Sequence, residues 1–169
     1  AGTSTEEFAH VASDTDLVED LRNRFGVDLG FTGGETITIN ADVGGTAITP
    51  ATLNVVGGTT TYGDYQTSLE SALGISNSTG VVIDQQDGSL LVNGDGGTVN
   101  EIANLDVTAG VANFDAIYGN GFWAETQEAE DFIQNASITV YDSIGDSHVL
   151  TFTFTKNPLQ SNAWTWSAD

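Results

Sequence analysis

The stretch from Ala136 to Thr155, ASITVYDSIGDSHVLTFTFT, predicts two β-strands joined by a tight turn. Apolar and polar residues alternate up to Asp142 and again after His148, which is the period of a strand with two unlike faces. Gly145 stands between the two runs, where a turn needs a residue that easily adopts a positive φ. The sequence therefore predicts a β-hairpin at this position.

A third alternating run, NAWTWS, follows this hairpin and carries two of the three tryptophans of the chain. Phe152 and Phe154 share one face of the second hairpin strand, and Trp164 and Trp166 share one face of the third run. Such a face ordinarily seals one side of a core. If it is left uncovered, it forms an adhesive patch that binds other proteins. The sequence leaves both alternatives open.

The composition indicates a globular protein that can form a core without covalent cross-links. The chain has 169 residues, 39% of them hydrophobic, with 20 glycines and 2 prolines. A domain of this size buries roughly 70% of the surface of its unfolded chain. Cysteine does not occur in the sequence, so disulfide scaffolds, thiolate nucleophiles and cysteine-ligated zinc are excluded.

The charge of the chain limits its partners. Twenty-four acidic residues face only Arg22, Arg24 and Lys156, which gives a formal net charge of −21. Nucleic acids need cationic side chains to displace their counterions, and anionic membranes attract the same side chains, so neither is expected as a partner. The sequence contains neither a long apolar run nor a signal-peptide pattern, and membrane insertion is not expected.

Two helices are predicted in the first 110 residues. The first begins at the N-cap Ser13, has Asp16 at the N3 position of a variant capping box, and ends at Gly26. Its apolar face consists of Leu17, Val18, Leu21 and Phe25. The second helix lies in TYGDYQTSLESALG and ends at Gly74. Its apolar face consists of Tyr62, Tyr65, Leu69, Ala72 and Leu73.

Four short strands are predicted around these helices. The segment GGETITINA places Ile37 and Ile39 on one side of a strand, and ATLNVV repeats the alternation through Leu53 and Val55. The segments VVID and SLLVN flank Asp87-Gly88, a strong signal for a hairpin turn. We therefore expect a second β-hairpin in this half of the chain.

The looser, glycine-rich pattern between Gly94 and Asn120 predicts a boundary between two domains. We expect residues 1–110 to form a strand–helix–hairpin lobe with the N-terminal helix, and residues 111–169 to form a β-lobe that is incomplete at its C-terminus. The acidic segment FWAETQEAEDF predicts a short helix or a loop. The predicted fold class is mainly β with two or three short helices, in two connected β-rich lobes.

Few residues are suited to catalysis. Histidine occurs only at His10 and His148, and the G-x-S-x-G, P-loop and H-E-x-x-H motifs do not occur. The carboxylates from Glu125 to Asp131 lack an apolar environment that would raise a pKa, so a solvated surface explains them better. We expect no enzyme activity, no catalytic residue, no cofactor and no small-molecule substrate.

Calcium is the one ligand for which the sequence offers weak candidates. Asp84 and Asp87 lie in the turn DQQDGS, and Asp95 lies in the turn NGDGG. Calcium requires six to eight oxygen ligands, and neither the EF-hand spacing nor the glycine-rich nonapeptide spacing is present. Tight turns also use Asp-Gly, and we favour that interpretation.

The hairpin and the tryptophan run together resemble the signature segment of bacterial flagellar hook proteins. In that family a strand ending in V-Y-D-S-x-G-x-x-H leads to an alternating strand and then, after a short lysine-containing loop, to a tryptophan-containing strand. The matching residues are Val140, Tyr141, Asp142, Ser143, Gly145, His148, Lys156 and Trp164. The segments LRNRFGVDLGFTGGETITINA, YGDYQTSLESALG and VVIDQQDGSLLVNGDGG are similar to inserts of long hook proteins.

The resemblance implies an extracellular structural protein, exported by the flagellar type III apparatus, that forms a homopolymer with other hook subunits. The chain lacks the terminal coiled-coil segments of the family, so we expect a fragment with the outer domains, monomeric by itself. Outer domains make inter-subunit contacts in the flexible, torque-transmitting universal joint. The alternative is an extracellular acidic β-rich adhesion module that binds calcium.

Overall fold

The computed structural model describes residues 11–86, 88–119, 121–158, 160 and 162–169. It is mainly β with two α-helices, which confirms the predicted fold class. The strands are β1 (Thr36–Val43), β2 (Thr46–Ala47), β3 (Ala51–Asn54), β4 (Val81–Ile83), β5 (Leu90–Val92), β6 (Ile102–Thr108), β7 (Ile133–Tyr141), β8 (Ser147–Lys156) and β9 (Trp164–Ala168). The helices are α1 (Tyr62–Leu73) and α2 (Ala112–Tyr118). Neither described helix is long and apolar enough to cross a membrane.

Strand β1 is the centre of the first sheet. It pairs with β2, β3 and β6, in each case antiparallel. The predicted alternation is confirmed, because Ile37, Ile39 and Ala41 are buried in turn while the residues between them are more exposed. This sheet supplies one wall of the main hydrophobic core.

Helix α1 begins and ends where the sequence predicts. A complete capping box at its N-terminus joins the N-cap Thr61 to Asp64, and Gly74 ends the helix in the left-handed conformation with φ 68°. Its buried face includes Tyr62, Tyr65, Leu69 and Leu73, as the apolar spacing indicated. The hairpin of β4 and β5 also pairs as predicted, with Val81 opposite Val92. Gln66 Nε2 donates to the carbonyl oxygen of Val81 at 3.0 Å and so attaches α1 to this hairpin.

The predicted N-terminal helix is reduced to a single 3₁₀ turn, Val18–Asp20. Tertiary pairing explains the difference: Leu17 forms a β-bridge with Thr61, which requires an extended backbone. The chain after the turn extends again, and Phe25, predicted on the apolar face, is 75% exposed. Local helix signals were therefore outweighed by pairing with a distant segment.

Helix α2 packs against the core that α1 and the first sheet form. The ring of its Phe114 lies edge-on to Phe31 and to Tyr65, with centroids 5.0 Å and 5.9 Å away. Trp123 follows the helix and donates its indole N–H to the carbonyl oxygen of Tyr118 at 2.7 Å. We call residues 11–123 the first lobe, residues 124–131 the linker, and residues 132–169 the second lobe. The predicted domain division at residue 110 stays a prediction.

The second lobe is a three-stranded antiparallel sheet in the order β7–β8–β9. The β7–β8 register runs from Ile133 opposite Thr155 to Tyr141 opposite Ser147, so the hairpin predicted from the sequence is confirmed. In β9, Trp166 lies opposite Phe154 of β8. Every residue of β7 and of β9 is exposed, so this sheet does not share the core of the first lobe.

Candidate interaction surface

The two faces of the second-lobe sheet differ sharply in chemistry. Directly opposed residues of antiparallel strands project to the same face, so the strand register shows which side chains lie on each face of the sheet. The apolar sheet face carries Ala136, Ile138, Val140, Leu150, Phe152, Phe154, Trp164, Trp166 and Ala168, together with the polar residues Gln134, His148 and Lys156. The opposite face, which we call the hydroxyl face, carries Ser137, Thr139, Ser147, Thr151, Thr153, Thr155, Thr165 and Ser167, together with Ile133, Asn135, Tyr141 and Val149. The prediction that each aromatic pair lies on one face of its strand is thus confirmed, and the register places both pairs on the same face of the sheet.

The apolar sheet face is largely uncovered in the described chain. Trp166 is 66% exposed, Ile138 50% and Trp164 44%. The aromatic rings contact one another instead of a second layer: Phe152 lies 6.4 Å from Phe154 and 6.1 Å from Trp166 between ring centroids. Soluble monomers seldom expose a continuous apolar patch of several hundred Å² unless it binds something. The face is therefore a candidate interaction surface.

The charge of the chain is concentrated away from this face. Only three of the 24 acidic residues lie beyond residue 131, at Asp142, Asp146 and Asp169. The first two belong to the turn between β7 and β8, and Asp169 follows β9 at the end of the chain. The apolar sheet face itself carries two groups that can be cationic, His148 and Lys156. A molecule of the same strongly acidic kind thus meets the least repulsion at this face.

The turn at the tip of the hairpin is organised by Asp142. Its Oδ1 accepts hydrogen bonds from the main-chain N–H groups of Asp146 and Ile144, both at 2.9 Å. These donors, that of Asp146 foremost, hold the pKa of Asp142 below its usual value. Gly145 has φ 93°, which explains why glycine stands there. Ser143 lies within the same turn.

The remaining residues of the hook-like motif lie at different positions on the second-lobe sheet. His148 lies opposite Val140, and its Nε2 is 3.4 Å from Oδ2 of Asp142. Tyr141 points from the hydroxyl face and is exposed. Trp164 lies opposite Lys156, at the other end of the sheet, roughly 26 Å from His148 at ~3.3 Å per residue along β8. The motif thus marks both ends of one sheet.

Two of the three calcium candidates lie in the described chain, and Asp87 lies outside it. Asp84 Oδ1 accepts from the main-chain N–H of Gln86 at 2.7 Å, as in an ordinary turn. Partial burial raises the pKa of Asp95, but hydrogen bonds from Ser76 and Asn77 outweigh that effect and hold it below its usual value. Among the described residues, no three His, Asp or Glu side chains are grouped closely enough to hold a metal ion. The calcium alternative stays a prediction.

The joint between the lobes contains residues that the sequence did not single out. Asp131 Oδ1, at the end of the linker, accepts from both the main-chain N–H and the hydroxyl of Thr98, at 2.9 Å and 3.1 Å. A cleft of about 240 Å³ opens beside it, with Glu130 and Lys156 in its walls. Asp131 belongs to the acidic segment that we interpreted as a solvated face. Its partner is 33 residues away in the sequence, so no local signal reveals the contact.

The second lobe is thus a small sheet with one uncovered apolar face, and it is attached to a highly acidic lobe. Residues 104–169 match the family model of the flagellar basal body protein FlaE D2 domain. The match covers 66 of the 169 residues, and it supports the resemblance of this segment to flagellar hook proteins. It takes in most of β6, helix α2, the linker and the whole second lobe. Searches of curated proteins and of solved structures gave no significant match.

The matched family indicates a general role and a location for the segment that it covers. Hook proteins are structural subunits that polymerise with other hook subunits, and the hook is an extracellular part of the bacterial flagellum. The motif in the hairpin, on which the resemblance was based, falls inside the matched range. The similarity of residues 1–103 to inserts of long hook proteins lies outside that range and stays a prediction.

Proposed function

We propose that the chain forms outer domains of a hook subunit and that its apolar sheet face contacts a neighbouring subunit in the polymer. The observation that carries this proposal is the exposure of Trp164 and Trp166 on a face with little charge. The occupant is a second copy, because hook subunits assemble with one another. In the flexible universal joint, this contact transmits torque between subunits.

The size of the face suits a contact that must re-form as the joint turns. Three strands about 4.8 Å apart, with nine residues in β7 at ~3.3 Å each, span roughly 400 Å². Stable protein pairs bury about 800 Å² on each partner. One such face therefore binds weakly by itself. In the polymer, neighbouring subunits are held close together, and the resulting high effective concentration allows the contact to form.

The weakness of one contact also leads us to propose that the isolated chain is monomeric. The repulsion between copies at a net charge of −21 acts in the same direction and is screened over about 8 Å at physiological ionic strength. We further propose that the role is shape and contact rather than catalysis, without a cofactor, nucleic acid or membrane as partner. Export through the flagellar type III apparatus belongs to the same proposal.

Neighbouring residues on opposite faces of β9 provide a matched test. Trp166→Glu places a carboxylate on the apolar sheet face, and Ser167→Glu places the same charge on the hydroxyl face of the same strand. In the complete hook protein, we expect Trp166→Glu to give shortened hooks or none in electron micrographs, and Ser167→Glu to give hooks of normal length. Circular dichroism of both isolated chains establishes that the sheet still forms. Equal hook lengths for the two folded variants would overturn the proposal.

A further inference from the structure

One carboxylate oxygen is central to the joint between the lobes. Thr98 is the first residue of a 3₁₀ turn, Thr98–Asn100, in the first lobe. Asp131 is the last residue of the linker, directly before the second lobe. Because Oδ1 of Asp131 accepts from both the N–H and the hydroxyl of Thr98, a single side chain connects the start of the second lobe to the first.

The backbone of Gly97 closely approaches the ring of Pro158 next to this pair. Gly97 is buried and has φ 101°, and a Cβ built on it would lie 2.7 Å from Cβ of Pro158. Pro158 belongs to the loop between β8 and β9, so the contact joins the far loop of the second lobe to the same turn. Glycine is required here both for its positive φ and for the missing side chain.

The linker between the lobes favours movement. Residues 124–131 form neither helix nor strand, and all but Ala129 are exposed. Carboxylates lie on both sides of the cleft at the joint, with Asp95 in the first lobe and Glu130 in the linker, and Lys156 of the second lobe reaches the same cleft. Repulsion between these carboxylates opposes closure and weakens as salt is added.

We propose that Asp131 and Thr98 form a latch that holds the two lobes in one arrangement, and that the lobes separate about the linker when the latch opens. Hydrogen bonds to an exposed carboxylate are of modest strength, so both arrangements are populated in solution. Removing the acceptor raises the ratio of open to closed molecules by about tenfold, as expected for hydrogen bonds to a charged group. Low ionic strength shifts the same ratio towards the open arrangement. The latch acts within one chain and does not depend on polymerisation.

Single-molecule energy transfer measures the distance between the lobes directly. The natural chain has no cysteine, so Thr67→Cys on α1 and Ile144→Cys in the hairpin turn, both at exposed positions, accept the two dyes without competition. The matched pair of variants is Asp131→Ala and Glu128→Ala, because each removes one carboxylate from the linker. We expect Asp131→Ala to raise the low-transfer population several-fold and Glu128→Ala to leave the distribution as in the parent chain.

A second variant tests the latch without changing the charge. Gly97→Ala places a methyl group against Pro158 and is expected to increase the open population in the same way. Thr98→Ser keeps both donors and is expected to match the parent chain. Far-UV circular dichroism shows whether each lobe remains folded. Equal distributions for the parent chain and Asp131→Ala, or an equal shift with Glu128→Ala, would overturn the latch, whatever the behaviour of the same variants in hook assembly.

Discussion

Asp142 shows how one residue sets the shape of the hairpin tip. Its carboxylate accepts two main-chain N–H groups of the residues that follow, which is the usual means by which aspartate begins a turn. Gly145 then supplies the positive φ. Both roles could be predicted from the sequence, because the donors lie within four residues of the acceptor. The role of Asp131 could not, since its partner is distant.

The lowered pKa of Asp142 predicts a contribution to stability that depends on pH. A carboxyl whose folded pKa lies below its unfolded value stabilises the fold above the unfolded pKa, and this contribution is lost as the pH falls through the folded pKa. We expect the parent chain to lose more of its second-lobe stability on acidification below about pH 4 than Asp142→Asn, which keeps the acceptor oxygen but cannot ionise. Tryptophan fluorescence during urea unfolding at several pH values gives the comparison. A parallel pH dependence in both chains would contradict the assignment.

Among the secondary-structure elements, α1 was the most predictable and the N-terminal segment the least. Helix α1 has twelve residues, a cap at each end and a continuous apolar face, so every local signal agrees with its environment. The segment after Ser13 has comparable local signals, but Leu17 pairs with Thr61 and straightens the backbone. Periodicity in the sequence indicates which secondary structure a segment prefers locally. It does not indicate whether a distant segment pairs with the same residues.

The capping box of α1 predicts a measurable difference between two conservative substitutions. Thr61→Ala removes the side-chain acceptor for the N–H of Asp64, whereas Thr61→Ser keeps it. We expect Thr61→Ala to lower the free energy of unfolding by about 1 kcal/mol and Thr61→Ser to change it little. Urea denaturation followed by circular dichroism distinguishes the two. Similar losses for both variants would show that the methyl group of threonine, rather than its hydroxyl, is what matters.

The aromatic residues of α1 and α2 make the first lobe sensitive to alkali. Burial raises the pKa of Tyr62, Tyr65 and Tyr118 above their ordinary value, and the hydroxyls of Tyr62 and Tyr118 lie 3.1 Å apart. A raised folded pKa means that the stability is fully present below the unfolded value of about 10 and is lost as the pH rises beyond it.

We therefore expect these three tyrosines to ionise only as the first lobe unfolds. In a Tyr141→Phe variant, which removes the exposed tyrosine of the second lobe, tyrosinate absorbance near 295 nm and far-UV circular dichroism, followed together from pH 9 to pH 13, should change in a single step. Ionisation of all the tyrosines near pH 10 with an intact circular dichroism spectrum would contradict the buried cluster.

The two lobes of the molecule differ in the charge and polarity of their surfaces. Residues 1–131 carry 21 of the 24 acidic residues, whereas the second lobe carries an apolar face and few charges. The sequence predicted that the aromatic residues alternate, but it left open whether their face is buried. Only the spatial arrangement of the sheet decides that question, because burial depends on what the rest of the chain covers.

We propose that the apolar sheet face is covered by a neighbouring subunit in the assembled hook. Thiol labelling tests it most directly in the complete hook protein, with Trp166→Cys on the apolar sheet face and Ser167→Cys on the hydroxyl face. We predict that a maleimide reagent modifies Trp166→Cys rapidly in free subunits and at least tenfold more slowly in purified hooks, while Ser167→Cys reacts rapidly in both. Equally rapid labelling of Trp166→Cys in hooks would contradict the claim, and so would slow labelling already in the free subunit, because the face would then be covered within a single chain.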